Sequence, residues 1–421
     1  MSNTPDSLAS AYEVAADLYL TRANYGENED DKISKLQEQS DVALKILDSL
    51  PPEERKLPLE QATFKYLRGK ILDMCPHYSK EAEDHLFHSV KLSPPVADAW
   101  LCLSNCFYER GDLPAAKDCL CVALSKGPDK KILCQLSMLT RKMSEGAKNE
   151  AELLEESIRH AKEAIALDVK DGHSWYNLGN ACFTSFLVSG ARDDSKLLDS
   201  LKAYLNADKD ETMKSNPHLS FNNAKLFRYL EDYEGAISAF EAVISKNPAL
   251  NAATEVQNIV NLLDKLDNLM RIYMQRGHLR SKGKARLASS LASVRCKLPF
   301  ELSTLDLLLN GLNRAVAVDG RVLSFVMNDV DVPLYYLLRD SNQTCFVLTV
   351  YGVRKDVIKE ADWLTLLDPK FRHVDFSCKG KCYQFKSIRV DFPEQVLVNG
   401  KAVTPQQAVH SSTYARHICT S

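Results

Sequence analysis

The side chains of this sequence best suited to chemistry are Asn105, Arg141 and Asn180, and the chemistry they suit is recognition. An asparagine amide both donates and accepts, so it can hold the backbone of an extended peptide without reading its sequence. An arginine guanidinium is a planar fork that grips a carboxylate through two parallel bonds. Tyr108, Tyr176, Phe183 and Phe221 offer aromatic surface for a large side chain, and Met138 and His218 complete the set. On the plainer reading these groups line an empty groove and face water. Bond-making chemistry is not expected. The chain has no Gly-rich phosphate loop, nucleophile elbow, His-Glu-x-x-His run or kinase set. Its ten histidines are dispersed, and His88 and His160 read as surface residues. Cys378 and Cys382, in SCKGKCYQF, have a zinc-like spacing, but no second Cys/His pair stands at suitable spacing elsewhere. Lys379-Gly380-Lys381 between them reads as a hairpin turn. We therefore expect neither an enzyme nor a cofactor.

The elements that must position these residues are helices. Val96 to Pro128 resembles the tetratricopeptide pattern, a helix–turn–helix repeat of about 34 residues. Trp100 falls at position 4, Leu103 at 7, Ser104 at 8, Phe107 at 11, Ala116 at 20, Leu120 at 24, Ala123 at 27 and Pro128 at 32. Small residues at 8, 20 and 27 let two antiparallel helices approach, and large ones fill the gaps. One unit cannot bury its apolar face alone, so others must stack on it. Trp175, Leu178 and Gly179 open another copy, completed after an insertion by Ser200, Tyr204 and Ala207. Ala224, Phe227, Ala236, Phe240, Val243 and Pro248 make the next. Gly69, Ala82, Leu86, Ser89 and Pro94 form a looser copy upstream, and Leu133, Leu136, Ser137, Ser157, Ala161 and Ala164 one in between. In such a repeat, positions 2, 5, 9 and 12 of the first helix face the concave side. They hold Asp98, Leu101, Asn105 and Tyr108; then Lys131, Cys134, Met138 and Arg141; then His173, Tyr176, Asn180 and Phe183; then His218, Phe221, Lys225 and Arg228.

The length of 421 residues suggests two or three domains. A hydrophobic content of 45%, a charged content of 26% and a net charge of −3 describe an ordinary globular chain and exclude a generally basic nucleic-acid binder. Twelve cysteines lie mostly on helical faces, among them Cys102, Cys106, Cys119, Cys121 and Cys134. With no secretory leader read at the start, they are expected to be reduced, buried and small. No apolar run reaches a membrane span. Residues 1–56 read as an N-terminal helical cap and 57–275 as the array with a closing helix over 253–275. Residues 276–296 read as a basic linker, carrying Arg276, His278, Arg280, Lys282, Lys284 and Arg286. That linker is either simply solvated or a contact for phosphates. From Leu298 the period changes to two, and the order of strand, long hairpin, connection and two more strands predicts a five-stranded oligonucleotide/oligosaccharide-binding (OB) barrel over 297–401, with a sandwich as the fallback. Tyr335, Phe346 and Tyr351 lie where such barrels stack bases or pack a partner. No basic stripe accompanies them, so a protein or internal-docking role is expected. Residues 402–421 read as a fraying tail.

Repeats followed by this barrel resemble the tetratricopeptide repeat domain five (Strap) family. The runs that carry the resemblance are LSMLTRKM, DVKDGHSWYNLGN, SNPHLSFNNA, KGK at 282–284 and KGKCYQFKSIRV through VLVNGK. The resemblance implies a non-enzymatic, cytoplasmic and nuclear adaptor. It would recognise the Met-Arg-Glu start of nascent tubulin at the ribosome and, through mRNA-decay adaptor proteins, mark the message for decay. The alternative it implies is a stress-responsive nuclear scaffold for acetyltransferase coactivators. It assigns the groove arginine to Arg141 and ribosome contact to Lys91, Lys282 and Lys284. A second ribosome-facing lysine is expected where His88 stands, and acids for the peptide's arginine where His218 and Ala252 stand. Glu231, Asp232 and Asp98 are the nearby carboxylates that could take their place.

Overall fold

Small residues decide where the helices of this chain pair. The computed structural model describes residues 18, 29–49, 57–74, 77–93, 97–275, 300–328 and 333–409. Among them the chain divides into two compact units. The first runs up to Leu226 and includes Ala242–Leu250; the second holds Phe227–Glu241 and Asn251 onward.

After helix α1 (Glu29–Asp48), the helices come in pairs: α2 (Pro58–Leu72) with α3 (Lys80–Leu92), α4 (Ala97–Glu109) with α5 (Leu113–Leu124), α6 (Lys130–Ser144) with α7 (Glu150–Leu167), and α8 (Gly172–Val188) with α9 (Asp194–Ala207). A single turn, α10 (Glu211–Lys214), leads to α11 (Pro217–Tyr229) and α12 (Tyr233–Lys246). Aspartates 112, 129, 171 and 193 cap α5, α6, α8 and α9, accepting bonds from the first free amides. Three pairs share one cross-helix bond between positions 8 and 20. Ser104 Oγ donates to the Ala116 carbonyl at 3.0 Å, Ser157 Oγ to Ser137 at 2.7 Å, and Ser200 Oγ to Gly179 at 2.9 Å. At Gly179 a Cβ would lie 2.4 Å from the Tyr204 ring, so only glycine admits that tyrosine. Trp100 is half-buried and packs against the cores on both sides of its helix. The predicted repeat register therefore holds.

Helix α13 (Ala252–Gln275) belongs to the second unit with the sheet. The strands are β1 (Glu301–Ser303), β2 (Gly311–Leu312), β3 (Val316–Val326), β4 (Leu334–Asp340), β5 (Cys345–Val350), β6 (Trp363–Leu367), β7 (Lys370–Cys378), β8 (Lys381–Val390), β9 (Val396–Val398) and β10 (Lys401–Ala402). Their order is β10-β9-β6-β3-β4-β5-β8-β7-β2, with β1 beside β3. The meander β3-β4-β5, β8 parallel to β5, and β7 beside β8 give the strand order of an OB barrel. Its ends meet covalently, because only three residues separate β2 from β3. Strands β6, β9 and β10 extend the sheet beyond β3. Lys379 and Gly380, at φ +49° and +77°, make the expected two-residue hairpin between β7 and β8. The chain past Ala402 stays ordered to Val409, whose N–H donates to the Gly352 carbonyl at 2.9 Å.

Both faces of β4 and β5 are buried. Tyr336, Leu338, Phe346 and Leu348 point into the barrel core. The other face lies under α13 and the turn after α11, where Arg339 Nη2 donates to the Tyr273 carbonyl at 2.6 Å. Arg389 of β8 is buried between two rings, 4.5 Å from the Tyr229 centroid and 4.2 Å from that of Tyr351. It donates to the Tyr229 carbonyl and, at 2.6 Å, to Asp391, and Glu231 lies 4.0 Å away. Glu231 has φ +58°, in a turn whose N–H at Asp232 returns to the Phe227 carbonyl. The α4–α5 turn makes the same bond from Asp112 to Phe107, but there the left-handed residue is Gly111 at φ +85°. An acid thus occupies a glycine's place, and burial raises its pKa against the pull of Arg389.

Two outcomes follow. Gly179→Val should cost on the order of 2–3 kcal/mol by overpacking Tyr204, and Tyr204→Leu in the same chain should recover most of it; urea unfolding measures both. Arg389→Ala should cost about 3–5 kcal/mol, since it strands a buried acid, and Arg389→Lys should recover little, since an ammonium cannot stack between two rings. Thermal unfolding followed through tyrosine fluorescence reads this, and an unshifted midpoint would deny the stacked arginine its role.

Candidate functional site

Side-chain contacts link the first helices of neighbouring repeats side by side. Tyr66 O–H donates to Asp98 at 3.2 Å, and Asn105 Nδ2 and Cys106 Sγ reach the two oxygens of Asp73 at 3.5 and 3.4 Å, joining α2 to α4. Cys134 Sγ lies 3.4 Å from Ser174 Oγ, joining α6 to α8. From α11, Asn222 Nδ2 donates to Tyr176 Oη at 3.1 Å and to Asn180 Oδ1 at 2.8 Å. Asn180 Oδ1 also accepts from Tyr204 O–H at 2.7 Å. The Tyr176 and Tyr204 rings sit 6.3 Å apart, tilted by 39°.

Arg141 lies in the last turn of α6, where its charge complements the helix dipole. It is half-buried and, among the described residues, its side chain makes neither an ion pair nor a hydrogen bond. Its charge acts on the Tyr176 phenol. Burial raises that phenol's pKa above its ordinary value, while the Asn180 amide, Arg141 and the Asn222 amide pull it down. The neighbouring Lys142 is paired with Glu145 at 2.8 Å, which holds its pKa up, and Tyr108 adds to that effect. The site therefore offers one uncompensated cation among half-buried aromatics and amides held in place.

Arg141, Tyr108, Met138, Tyr176 and Asn105 are all half-buried, and the chain brings Arg141, Tyr176 and Asn180 into one neighbourhood. Phe183 and Phe221 are corrections. They are 6% and 5% exposed, so they belong to the core and leave no ring for a ligand. Asn180 is 7% exposed and its acceptor oxygen is taken twice, so only its donor end remains to meet a peptide. His218 is exposed. Of the substitute acids, Glu231 is buried beside Arg389, Asp232 caps Gly235 N–H at 3.0 Å, and Asp98 accepts from Tyr66. Lys91 is exposed over the Phe87 ring, 4.1 Å from its centroid. Lys282 and Lys284, with the rest of the basic linker, lie outside the described residues, as does the start of the N-terminal cap up to residue 28 apart from Leu18.

Two further readings change. His160 is buried, not on the surface, wedged 3.5 Å from Glu156 and 3.7 Å from Glu163, and burial lowers its pKa. Cys121 is exposed while Cys102, Cys106 and Cys119 are buried; burial pushes the Cys119 thiol up to about 12 and the half-buried Cys134 to about 11, so neither is a thiolate near neutrality. Tyr335, Phe346 and Tyr351 are all buried, in keeping with the internal-docking role expected of them. Asn222 and Tyr204 were missed as members of the groove network. Position 6 and the second helix are not concave positions in the repeat, and only the paired asparagines of SFNNA hinted at more.

Residues 299–412 match the family model described as the Tetratricopeptide repeat protein 5 OB fold domain. Over 409 residues the chain is 31% identical to Tetratricopeptide repeat protein 5 of Mus musculus, covering 91% of each chain. Over 355 residues it is 32% identical to the protein of that name from Homo sapiens, covering 80% of this chain and 79% of the relative. Among solved structures it is similar to YrrB, described as a TPR protein with an unusual peptide-binding site. That match is 15% identical, with a TM-score of 0.35, over 49% of this chain and 94% of the other. Among the described residues no helix is long and apolar enough to cross a membrane.

Proposed function

The chain belongs to the tetratricopeptide repeat protein 5 family, and from that premise we propose that its repeat groove reads the N-terminal peptide of nascent tubulin at the ribosome and so triggers decay of tubulin mRNA. A tetratricopeptide-repeat chain of this family reads as a protein-interaction module. The observation that carries the finer reading is Arg141: half-buried, among aromatics and amides, and without an acidic partner among the described residues. A desolvated cation of this kind is costly to leave uncompensated, and a ligand carboxylate offsets that cost. A Met-Arg-Glu start supplies one at its third residue. Its arginine finds no acid at His218 or at Ala252, which is 1% exposed. On this reading the glutamate, and not the arginine, carries most of the discrimination. Lys91, with Lys282 and Lys284, contacts the ribosome and keeps the groove near the exit, and mRNA-decay adaptor proteins act downstream. The chain itself makes and breaks no bonds.

Arg141→Ala should weaken binding of a Met-Arg-Glu peptide by about 2–5 kcal/mol, while unfolding shifts by no more than about 0.5 kcal/mol. Arg141→Lys should restore little. Changing the peptide's glutamate to glutamine should cost the native protein far more than it costs Arg141→Ala; simple additivity would remove Arg141 as the glutamate's partner. Charge reversal at Lys91, Lys282 and Lys284 should weaken pelleting with ribosomes and leave peptide titration unchanged. Crosslinking to ribosomes stalled on a short tubulin nascent chain tests the whole reading. No crosslink, together with a nuclear pool bound to acetyltransferase coactivators, would favour the scaffold instead.

A further inference from the structure

The Tyr176 phenol has a filled acceptor role and an unspent donor. Asn222 Nδ2 donates to its oxygen at 3.1 Å, so the phenol's own hydrogen must point elsewhere. Among the described residues that hydrogen has no acceptor. The amide that holds the phenol cannot easily turn over. Asn222 Nδ2 also donates to Asn180 Oδ1 at 2.8 Å, and a flip would lose that bond and set two carbonyl oxygens against each other. Asn180 is pinned in turn by Tyr204 O–H at 2.7 Å. Tyr204 is 1% exposed and seated against Gly179, where no other side chain fits. A polar chain therefore runs from the core of the α8–α9 pair to the half-buried phenol, which lies within the field of Arg141.

We propose that Tyr176 is a second donor to the ligand carboxylate that Arg141 binds, aimed at it by Asn222, Asn180 and the buried Tyr204. The inference rests on the groove being a site for an acidic peptide, and it names the group that tells acid from amide. A carboxylate has two oxygens and lone pairs for both the guanidinium and the phenol. A carboxamide has one oxygen, and its NH2 would confront one of the two donors. Burial keeps the phenol protonated at neutral pH, as a donor must be. Tyr204 is a positioning residue on this account, acting through Asn180.

The full-length protein is titrated calorimetrically with three peptides, beginning Met-Arg-Glu, Met-Arg-Gln and Met-Ala-Glu. Tyr176→Phe keeps the ring and removes the hydroxyl. It should weaken the Met-Arg-Glu peptide about tenfold or more, the strength of one hydrogen bond to a charged group. The Met-Arg-Gln peptide should change by no more than about twofold, and the effect on the acid should vanish in Arg141→Ala. Tyr204→Phe should lower the acid-over-amide preference in the same direction by a smaller factor, a readout that mere loss of stability would not move. Equal binding by Tyr176→Phe and the native protein would overturn the proposal, as would equal losses for acid and amide, or no binding of any of the three peptides. If Met-Ala-Glu binds the native protein as tightly as Met-Arg-Glu and Tyr176→Phe weakens both, the carboxylate site stands and the tubulin reading falls.

Discussion

Two helices pair closely only where their backbones almost touch, and the repeat unit depends on that approach at positions 8 and 20. Bulk at either place would force the helices apart and open the core between them. The chain meets the constraint in two ways. At Gly179 it removes the side chain altogether and fills the room with a tyrosine ring. At Ser104, Ser157 and Ser200 it spends a small hydroxyl on the partner helix's carbonyl, so the polar atom is satisfied where the packing is tightest. Everything on the inner layer inherits its position from these contacts, because a first helix that rotated would carry its groove residues away.

The second unit obeys a different constraint. An OB meander has an outer face that must meet solvent, a ligand or more of the chain. Here helix α13 and the turn after α11 cover it. Arg389 is held between the Tyr229 and Tyr351 rings, with Asp391 and Glu231 as its acids. Glu231 adopts a backbone conformation that the matching turn gives to Gly111. Such strain persists only where the surroundings over-determine it, and here the residue is buried beside Arg389. The barrel's aromatics are therefore part of its own packing.

In the groove, rigidity and charge are separated. The amides of Asn180 and Asn222 are locked by neighbours, while Arg141 makes no ion pair among the described residues. On the proposed reading, a site built this way has little to reorganise when it meets an anion. The aromatic surface is smaller than four rings would supply, because Phe183 and Phe221 are committed to the core.

How much of this was legible in the sequence depends on the range of the interaction. The repeat register, the change from helical to strand period near Leu298 and the hairpin at Lys379-Gly380 all followed from residue type and local spacing. Side-chain period and turn chemistry are local properties, and a repeat multiplies them until chance is excluded. The burial of His160, the removal of Glu231 from the groove and the covering of Tyr335 and Tyr351 did not follow. Neither did the link from Tyr204 through Asn180 to Tyr176, which joins side chains 24 and 42 residues apart with Asn222 as its hub. Those facts depend on which second surface arrives at a given face. Period identifies a face as apolar or polar but carries no information about its partner, and only the packed tertiary structure supplies that.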